Sequence, residues 1–379
     1  MKNNIAQFFV GMTAAIGLAL TLGGCASQPP ALSTPDRSVE QSQFPGVEWT
    51  QVAPATQGFS QERIDRAVTY AKEKGSTSGM VIHNGLVIAE WGDVARRSNL
   101  HSARKSFMSA LIGIAAARGQ IHLDDTLEQL GIDDNDPPLS PAEKQATVRM
   151  LIEARSGVYH PTVYETRSME TSRPQRYSHE PGTFWYYNNW DFNTVGAIYE
   201  KATGESIFKA IGTEIADPIG MQDYRPSDGH YVSGGQATRY PAYPFDMSAR
   251  DLARFALLYL HDGRWRDRQV VPAQWVAEST RSYSDTATGG YGYMWWTSVP
   301  AGGVRGPDMK LLRPTFWADG HLGQYAVVVP SLDLVVVNLV DSRLTPKHME
   351  QKRMSQKNME TLVWLIESAG GATGIGPLP

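Results

Sequence analysis

Two short runs rich in β-branched and aromatic residues, 80–83 and 86–91, flank the dipeptide Asn84-Gly85. Asn and Gly both tolerate the positive φ of a two-residue type I′ turn, so the pattern predicts a tight antiparallel hairpin. A few residues later the period changes. Phe107, Ala110, Leu111, Ile114 and Ala115 recur at helical spacing and stop near Gly119, which predicts a buried helix. Other helices are expected near 61–73, where Arg63, Arg66, Lys72 and Lys74 mark a solvated face, over the segment SARDLARFALLYL from Ser248, and near 353–367. Apolar runs at 324–329 and 333–339, with the segment 292–298, are expected to join the hairpin in one antiparallel sheet. Strands thus lie near both ends of the chain, and a largely helical stretch of about 106–280 lies between them. The expected fold is an α/β chain of the α+β kind: one antiparallel sheet flanked by helices, with an inserted, mainly helical lobe.

The first residues follow a different pattern. Lys2 precedes an apolar run over 5–22, and Leu22-Gly23-Gly24-Cys25 ends it in small residues. The glycine break and the small-residue end fit a cleaved export signal over 1–24 better than a membrane span. Cys25 is the only cysteine among 379 residues, so no disulfide can form within the chain, and lipid attachment would explain a lone thiol in an exported protein. Residues 25–45, rich in Pro, Ser and Gln, are expected to form a disordered tether, with 46–370 as the folded body and 371–379 as a tail. The expected location is the cell envelope, with the membrane touched through a lipid anchor alone. A hydrophobic content of 41% allows a large core, and a formal net charge of −4 gives no basic surface for nucleic acid.

Candidate chemistry begins at Ser102-Ala103-Arg104-Lys105, at the mouth of the predicted buried helix. Residues three apart share a helix face, so Lys105 can take the Ser102 proton as the oxygen attacks a carbonyl. Ser206 and Lys209 share the spacing. They follow Thr203-Gly204, where the serine reads as a helix cap and the lysine as a surface charge. Downstream come Tyr187-Asn188-Asn189, within PGTFWYYNNWDFNTVG, and His321-Leu322-Gly323. No HExxH, CxxC, phosphate-binding loop or strand-following GxGxxG is present, so no metal or cofactor is expected. Asp124 and Asp125 read as a turn or cap pair, and Tyr159, His160 and His101 as structural residues near a pocket.

In that order the three short motifs resemble those of the serine β-lactamase and penicillin-binding-protein superfamily, SxxK, YxN, and KTG or HxG. The similarity is greatest to class C β-lactamase-like esterases and 6-aminohexanoate-oligomer hydrolases, and it spans about residues 46–370. The resemblance implies a β-lactamase/DD-peptidase-like fold and a Ser102 nucleophile served by Lys105 and Tyr187. Distances from Pro181-Gly182 and Gly196 select Tyr187 over Tyr186 as the motif tyrosine. It further implies substrate contacts from Asn189, His321 and Gly323, and an oxyanion hole built from the backbone N–H groups of Ser102 and Gln324. His321 in place of a lysine removes a permanent cation for a substrate carboxylate, which favours small esters or amides. A β-lactamase or DD-peptidase, and a non-catalytic sensor on the same fold, remain the alternatives.

Overall fold

The computed structural model describes residues 44–303, 311, 313–344 and 354–370. Cys25, the segment 1–24 expected to direct export, and the tail from 371 lie outside the described residues. The tether expected to run through 45 ends sooner. Phe44 packs on His261 and Trp265, with ring centroids 4.8 and 5.0 Å apart, and Arg266 Nη2 donates to Pro45 O at 3.0 Å.

One sheet of eight strands organises the chain. Its strands are β1 (Ser78–His83), β2 (Leu86–Gly92), β3 (Ser284–Thr286), β4 (Gly289–Tyr291), β5 (Trp296–Thr297), β6 (Phe316–Gly320), β7 (Gln324–Val329) and β8 (Leu334–Leu339). They lie in the order β2-β1-β8-β7-β6-β5-β4-β3, and every pair is antiparallel. The β1–β2 hairpin turns at Asn84 and Gly85, with φ of 51° and 75°, as a type I′ turn requires. β7 and β8 are buried along their whole length, which is why they read as unbroken apolar runs in the sequence.

Period-two alternation gives each face of the sheet its own core. Val81, Trp317, Tyr325, Val327 and Val336 face one side, against Ile64, Ala67 and Ala71 of α1 (Gln61–Glu73) and Leu362, Val363 and Ile366 of the C-terminal helix Gln356–Ala369. Met80, Ile82, Ala326, Val328, Val335 and Val337 face the other. There they meet α2 (Arg104–Ala117), α3 (Asn189–Thr203) and α4 (Ala249–Leu260). α2 is buried over twelve consecutive residues, Arg104 to Ala115, so it runs through the centre of the larger core.

Two strand expectations need revision. The segment 292–298 is not continuous. Gly292 lies so close to the neighbouring backbone that an added Cβ would stand 2.1 Å from Ser279 O, and the chain turns through Met294 at φ 59° before β5 begins. β6 was not foreseen, and it proves to be the strand that borders the site.

Candidate active site

Ser102 stands in a single 3-10 turn, His101–Ala103, that leads into α2. The turn is bent at His101, whose φ of 48° is costly for a residue with a Cβ and is held by two bonds. His101 N donates to Asn99 Oδ1 at 2.7 Å, and Arg104 Nη1 donates to His101 O at 2.9 Å. The bend leaves Ser102 partly exposed while the next turn of α2 dives into the core.

Lys105 is 2% exposed. Its Nζ lies 3.0 Å from Ser102 Oγ, 2.7 Å from Tyr187 OH and 2.7 Å from Asn189 Oδ1. Burial first, and then the neighbouring Arg104 cation, push the Lys105 amine well below the usual lysine range, against a smaller opposing pull from Asp319 and Glu165. A neutral amine can accept the serine proton. Arg104 is itself fully buried between the rings of Tyr164 and Tyr243, with its guanidinium carbon 5.0 and 4.8 Å from their centroids. Among the described residues its Nε and Nη2 find no hydrogen-bond partner, and its cation acts on Lys105.

Tyr187 arrives from the loop before α3. Asn188 caps that helix through Trp190 N, and its Nδ2 donates to Val158 O at 2.6 Å, which fixes the approach of the preceding residue. The Tyr187 ring packs on Phe192 and Trp296, with centroids 5.0 and 5.5 Å away. Burial raises its phenol well above the usual range, so it stays protonated at neutral pH. Lys105 is therefore the better base of the pair, and Tyr187 the better acid. Tyr186, the rejected neighbour, turns away and donates to Met169 O at 2.7 Å.

Asn189 is 1% exposed and occupied at both ends of its amide. Besides accepting from Lys105, it donates from Nδ2 to Tyr164 O at 2.6 Å. In this arrangement it positions Lys105 rather than meeting a substrate. Ser206 is the helix cap expected of it, accepting from Lys209 N at 3.4 Å, while Lys209 Nζ pairs with Glu205 at the surface. His160 is buried 3.5 Å from Asp134 in a structural cluster. His101 lies beside the nucleophile, and burial, helped by His321 and Arg104, lowers its imidazole to about 4.

The third motif needs a correction. His321-Leu322-Gly323 is the turn between β6 and β7, and its glycine does not face Ser102. Leu322 packs in the core on the α1 side, and a Cβ added to Gly323 would meet Met354 Cβ at 2.6 Å and Met354 O at 2.8 Å. Gln324 opens β7, an interior strand between β6 and β8, and its side-chain amide is bonded to Val340 N and O at 3.0 and 2.9 Å. The stretch that meets the nucleophile lies three residues earlier. β5 covers only Phe316 and Trp317 of β6, so the edge at Ala318-Asp319-Gly320 is left to the His101–Ala103 turn. Gly320 comes so near that an added Cβ would stand 2.2 Å from Leu100 O. The Gly320 carbonyl accepts from Gly323 N at 3.1 Å and so faces β7, and strand alternation turns the backbone groups of Asp319 to the opposite edge, the one β5 leaves uncovered. Gly323 is thus packed on Met354 and the Gln324 side chain is held by Val340, while Asp319 lies on the uncovered stretch and His321 is an exposed residue whose ring lies 5.7 Å from that of His101. The signal for Asp319 was the second glycine, Gly320, which offers the same x-x-Gly spacing one strand end earlier.

A reachable serine beside a desolvated lysine, next to an antiparallel sheet, is the arrangement that a serine nucleophile needs. The chain belongs to the beta-lactamase family, whose model matches residues 64–358. An uncharacterized protein of Alkalihalophilus pseudofirmus is 21% identical over 302 residues, covering 71% of this chain and 85% of its own length. A Bacillus anthracis structure, provisionally assigned as a 6-aminohexanoate-dimer hydrolase, superposes with a TM-score of 0.57 at 19% identity over 79% of this chain and 82% of that one. A class C beta-lactamase structure gives a TM-score of 0.57 at 14% identity, over 83% of this chain and 98% of its own. Similarity at that level establishes the shared fold.

Proposed function

We propose that the chain is a serine hydrolase that forms an acyl-enzyme on Ser102 and acts on small esters or amides. As Ser102 Oγ attacks the substrate carbonyl carbon, its proton passes to the neutral Lys105 Nζ. The oxygen of the tetrahedral intermediate takes the negative charge and is met by the N–H groups of Ser102 and of His321, the first residue after Gly320; one such donor is worth about 3 kcal/mol in the transition state. Tyr187 OH protonates the leaving group as the carbonyl–leaving-group bond breaks, and it recovers a proton from Lys105 across 2.7 Å. Water then attacks the ester on Ser102 with the same groups working in reverse.

The observation that carries this reading is the single buried Nζ within hydrogen-bond reach of both Ser102 Oγ and Tyr187 OH. Support for a substrate class comes from β6: where a lysine would hold a carboxylate, the chain has Ala318, followed by Asp319, whose carboxyl is raised by burial to about 7 and is anionic above that pH. A substrate carboxylate there would be repelled, which supports uncharged or cationic esters and amides over β-lactams. The apolar run ending in Leu22-Gly23-Gly24-Cys25 supports export and lipid attachment, and Cys25→Ser should abolish incorporation of labelled fatty acid.

The test is intact-mass spectrometry after exposure to a fluorophosphonate, a penicillin and 4-nitrophenyl esters in turn. The fluorophosphonate and the esters should leave adducts on the wild-type and Ser206→Ala proteins and none on Ser102→Ala. Labelling that survives Ser102→Ala would overturn the nucleophile. A stable penicilloyl adduct without ester turnover would replace the esterase reading with a penicillin-binding one.

A further inference from the structure

Asp319 is the charged group of the site that the acylation mechanism leaves unused. It lies on β6 immediately before Gly320, on the stretch that borders the nucleophile turn and that β5 does not cover. Its side chain is partly exposed, and its carboxylate makes no hydrogen bond or ion pair with any described residue; its electrostatic partner is Lys105. A carboxylate that borders a reaction centre and has no such partner among the described residues is placed to meet a cation that arrives from solvent. Lys105 cannot supply that partner during acylation, because it must be neutral to take the serine proton.

We infer that Asp319 is a specificity residue that selects substrates carrying a positive charge, an ammonium or quaternary ammonium, near the scissile ester or amide. The inference deepens the acyl-enzyme reading and rests on it. A cation seated within a few ångströms of Asp319 supplies the partner that no described residue provides. A substrate carboxylate in the same place meets an anion. The partly exposed ring of Tyr187, which feels the Asp319 charge, and the ring of Trp296 packed 5.5 Å from it suit an alkylated ammonium.

Matched pairs that differ only in charge test this. On the leaving-group side the pair is butyrylcholine and 3,3-dimethylbutyl butyrate, which exchange a quaternary nitrogen for carbon at constant shape. On the acyl side the pair is the 4-nitrophenyl esters of 4-(trimethylammonio)butanoate and 5,5-dimethylhexanoate. The readout is the ratio of kcat/KM, cationic over neutral, within each pair. In at least one pair the wild-type ratio should exceed one by about ten- to a hundredfold, the range of one charge-assisted contact. Asp319→Asn should collapse that ratio toward one, Asp319→Glu should preserve its sign, and Asp319→Lys should invert it.

The pH dependence of the wild-type ratio gives a second readout. Burial raises the Asp319 carboxyl to about 7, opposed by Lys105, so lowering the pH from 8 to 6 protonates it while the quaternary cation keeps its charge. The ratio should therefore fall with falling pH. The groups facing Asp319 are Lys105 on α2, Tyr187 before α3 and Tyr291 on β4, with Arg104, His101 and His321 beyond them. A positive charge gained by any neighbour as the pH falls would also act on the cationic member alone, so the fall in ratio is assigned to Asp319 only as far as Asp319→Asn removes it. Ratios near one in both pairs, or ratios unchanged by Asp319→Asn and by pH in an enzyme that still labels at Ser102, overturn the assignment of Asp319 alone. Loss of Ser102 labelling in the wild type would instead remove the parent reading.

Discussion

Gly320→Ala tests the corrected third motif directly. The added methyl would stand 2.2 Å from the Leu100 carbonyl oxygen and 2.8 Å from Gln324 Cβ. Leu100 O is a backbone atom one residue before His101, so it cannot swing aside as a side chain would. Restoring an ordinary contact of about 3.5 Å requires the β6 edge and the nucleophile turn to separate by more than about 1 Å. Overpacking of this kind costs about 1–3 kcal/mol of stability, and a misplacement of about 1 Å at reacting groups costs about a hundredfold in rate. The prediction is therefore a fall of about two decades in kcat/KM for an activated ester, with active sites counted by fluorophosphonate titration so that unfolded protein is excluded. Thermal denaturation followed alongside should show a lowered but cooperative transition. Gly323→Ala is the contrasting change. Its φ of 109° and its contact with the Met354 backbone predict a loss of stability, while the rate per titrated site stays near that of the wild type. Wild-type kcat/KM in a folded Gly320→Ala protein, with the kinetic loss appearing in Gly323→Ala instead, would refute the corrected register and restore His321-Leu322-Gly323 as the third motif.

Two further outcomes follow from the electrostatics. Tyr187→Phe should lower kcat/KM by about two to four decades, and by less for a 4-nitrophenyl ester, whose leaving group needs little protonation, than for an alkyl ester or amide; equal losses on all three would remove its role as the acid. Because Lys105 reacts as the neutral amine, kcat/KM should rise with pH through its lowered pKa. Arg104→Met removes a cation that helps to lower it, so the acidic limb of the profile should move to higher pH; a limb that stays in place would show that burial alone sets the Lys105 charge.

Much of the site was legible because its key spacing is local. Ser102 and Lys105 are one helical turn apart on a buried helix, and a three-residue offset fixes their shared face before any tertiary contact is considered. Tyr187 was legible through its position between Pro181-Gly182 and Gly196. The antiparallel sheet flanked by helices was legible from the hairpin and from β7 and β8, whose apolar runs are too short and too β-branched for buried helices. β6 escaped because Phe316-Trp317-Ala318-Asp319-Gly320 alternates weakly and ends in a charge and a glycine. The register of the third motif escaped for a related reason: two x-x-Gly triplets stand side by side, and which one meets the nucleophile depends on where β5 stops covering β6. That is a property of strand pairing over a distance, and no local pattern encodes it. Arg104 was passed over because a charged residue at a helix start ordinarily faces water, and here it is enclosed by two tyrosines.

The strand order also sets a timetable for synthesis. β1 lies second from the edge of the sheet, and its inner partner is β8, with Ser78 opposite Leu339, 261 residues later. At about 5–20 residues per second, the Met80-Val81-Ile82 edge waits roughly 13 to 52 s after it leaves the ribosome before its partner exists. Throughout that interval the β1–β2 hairpin exposes an apolar strand edge, and α1 lacks the C-terminal helix against which it packs. The nascent chain therefore cannot close its sheet until it is nearly complete, and a holding factor that covers the hairpin during those seconds should raise the yield of folded protein more than one supplied after release.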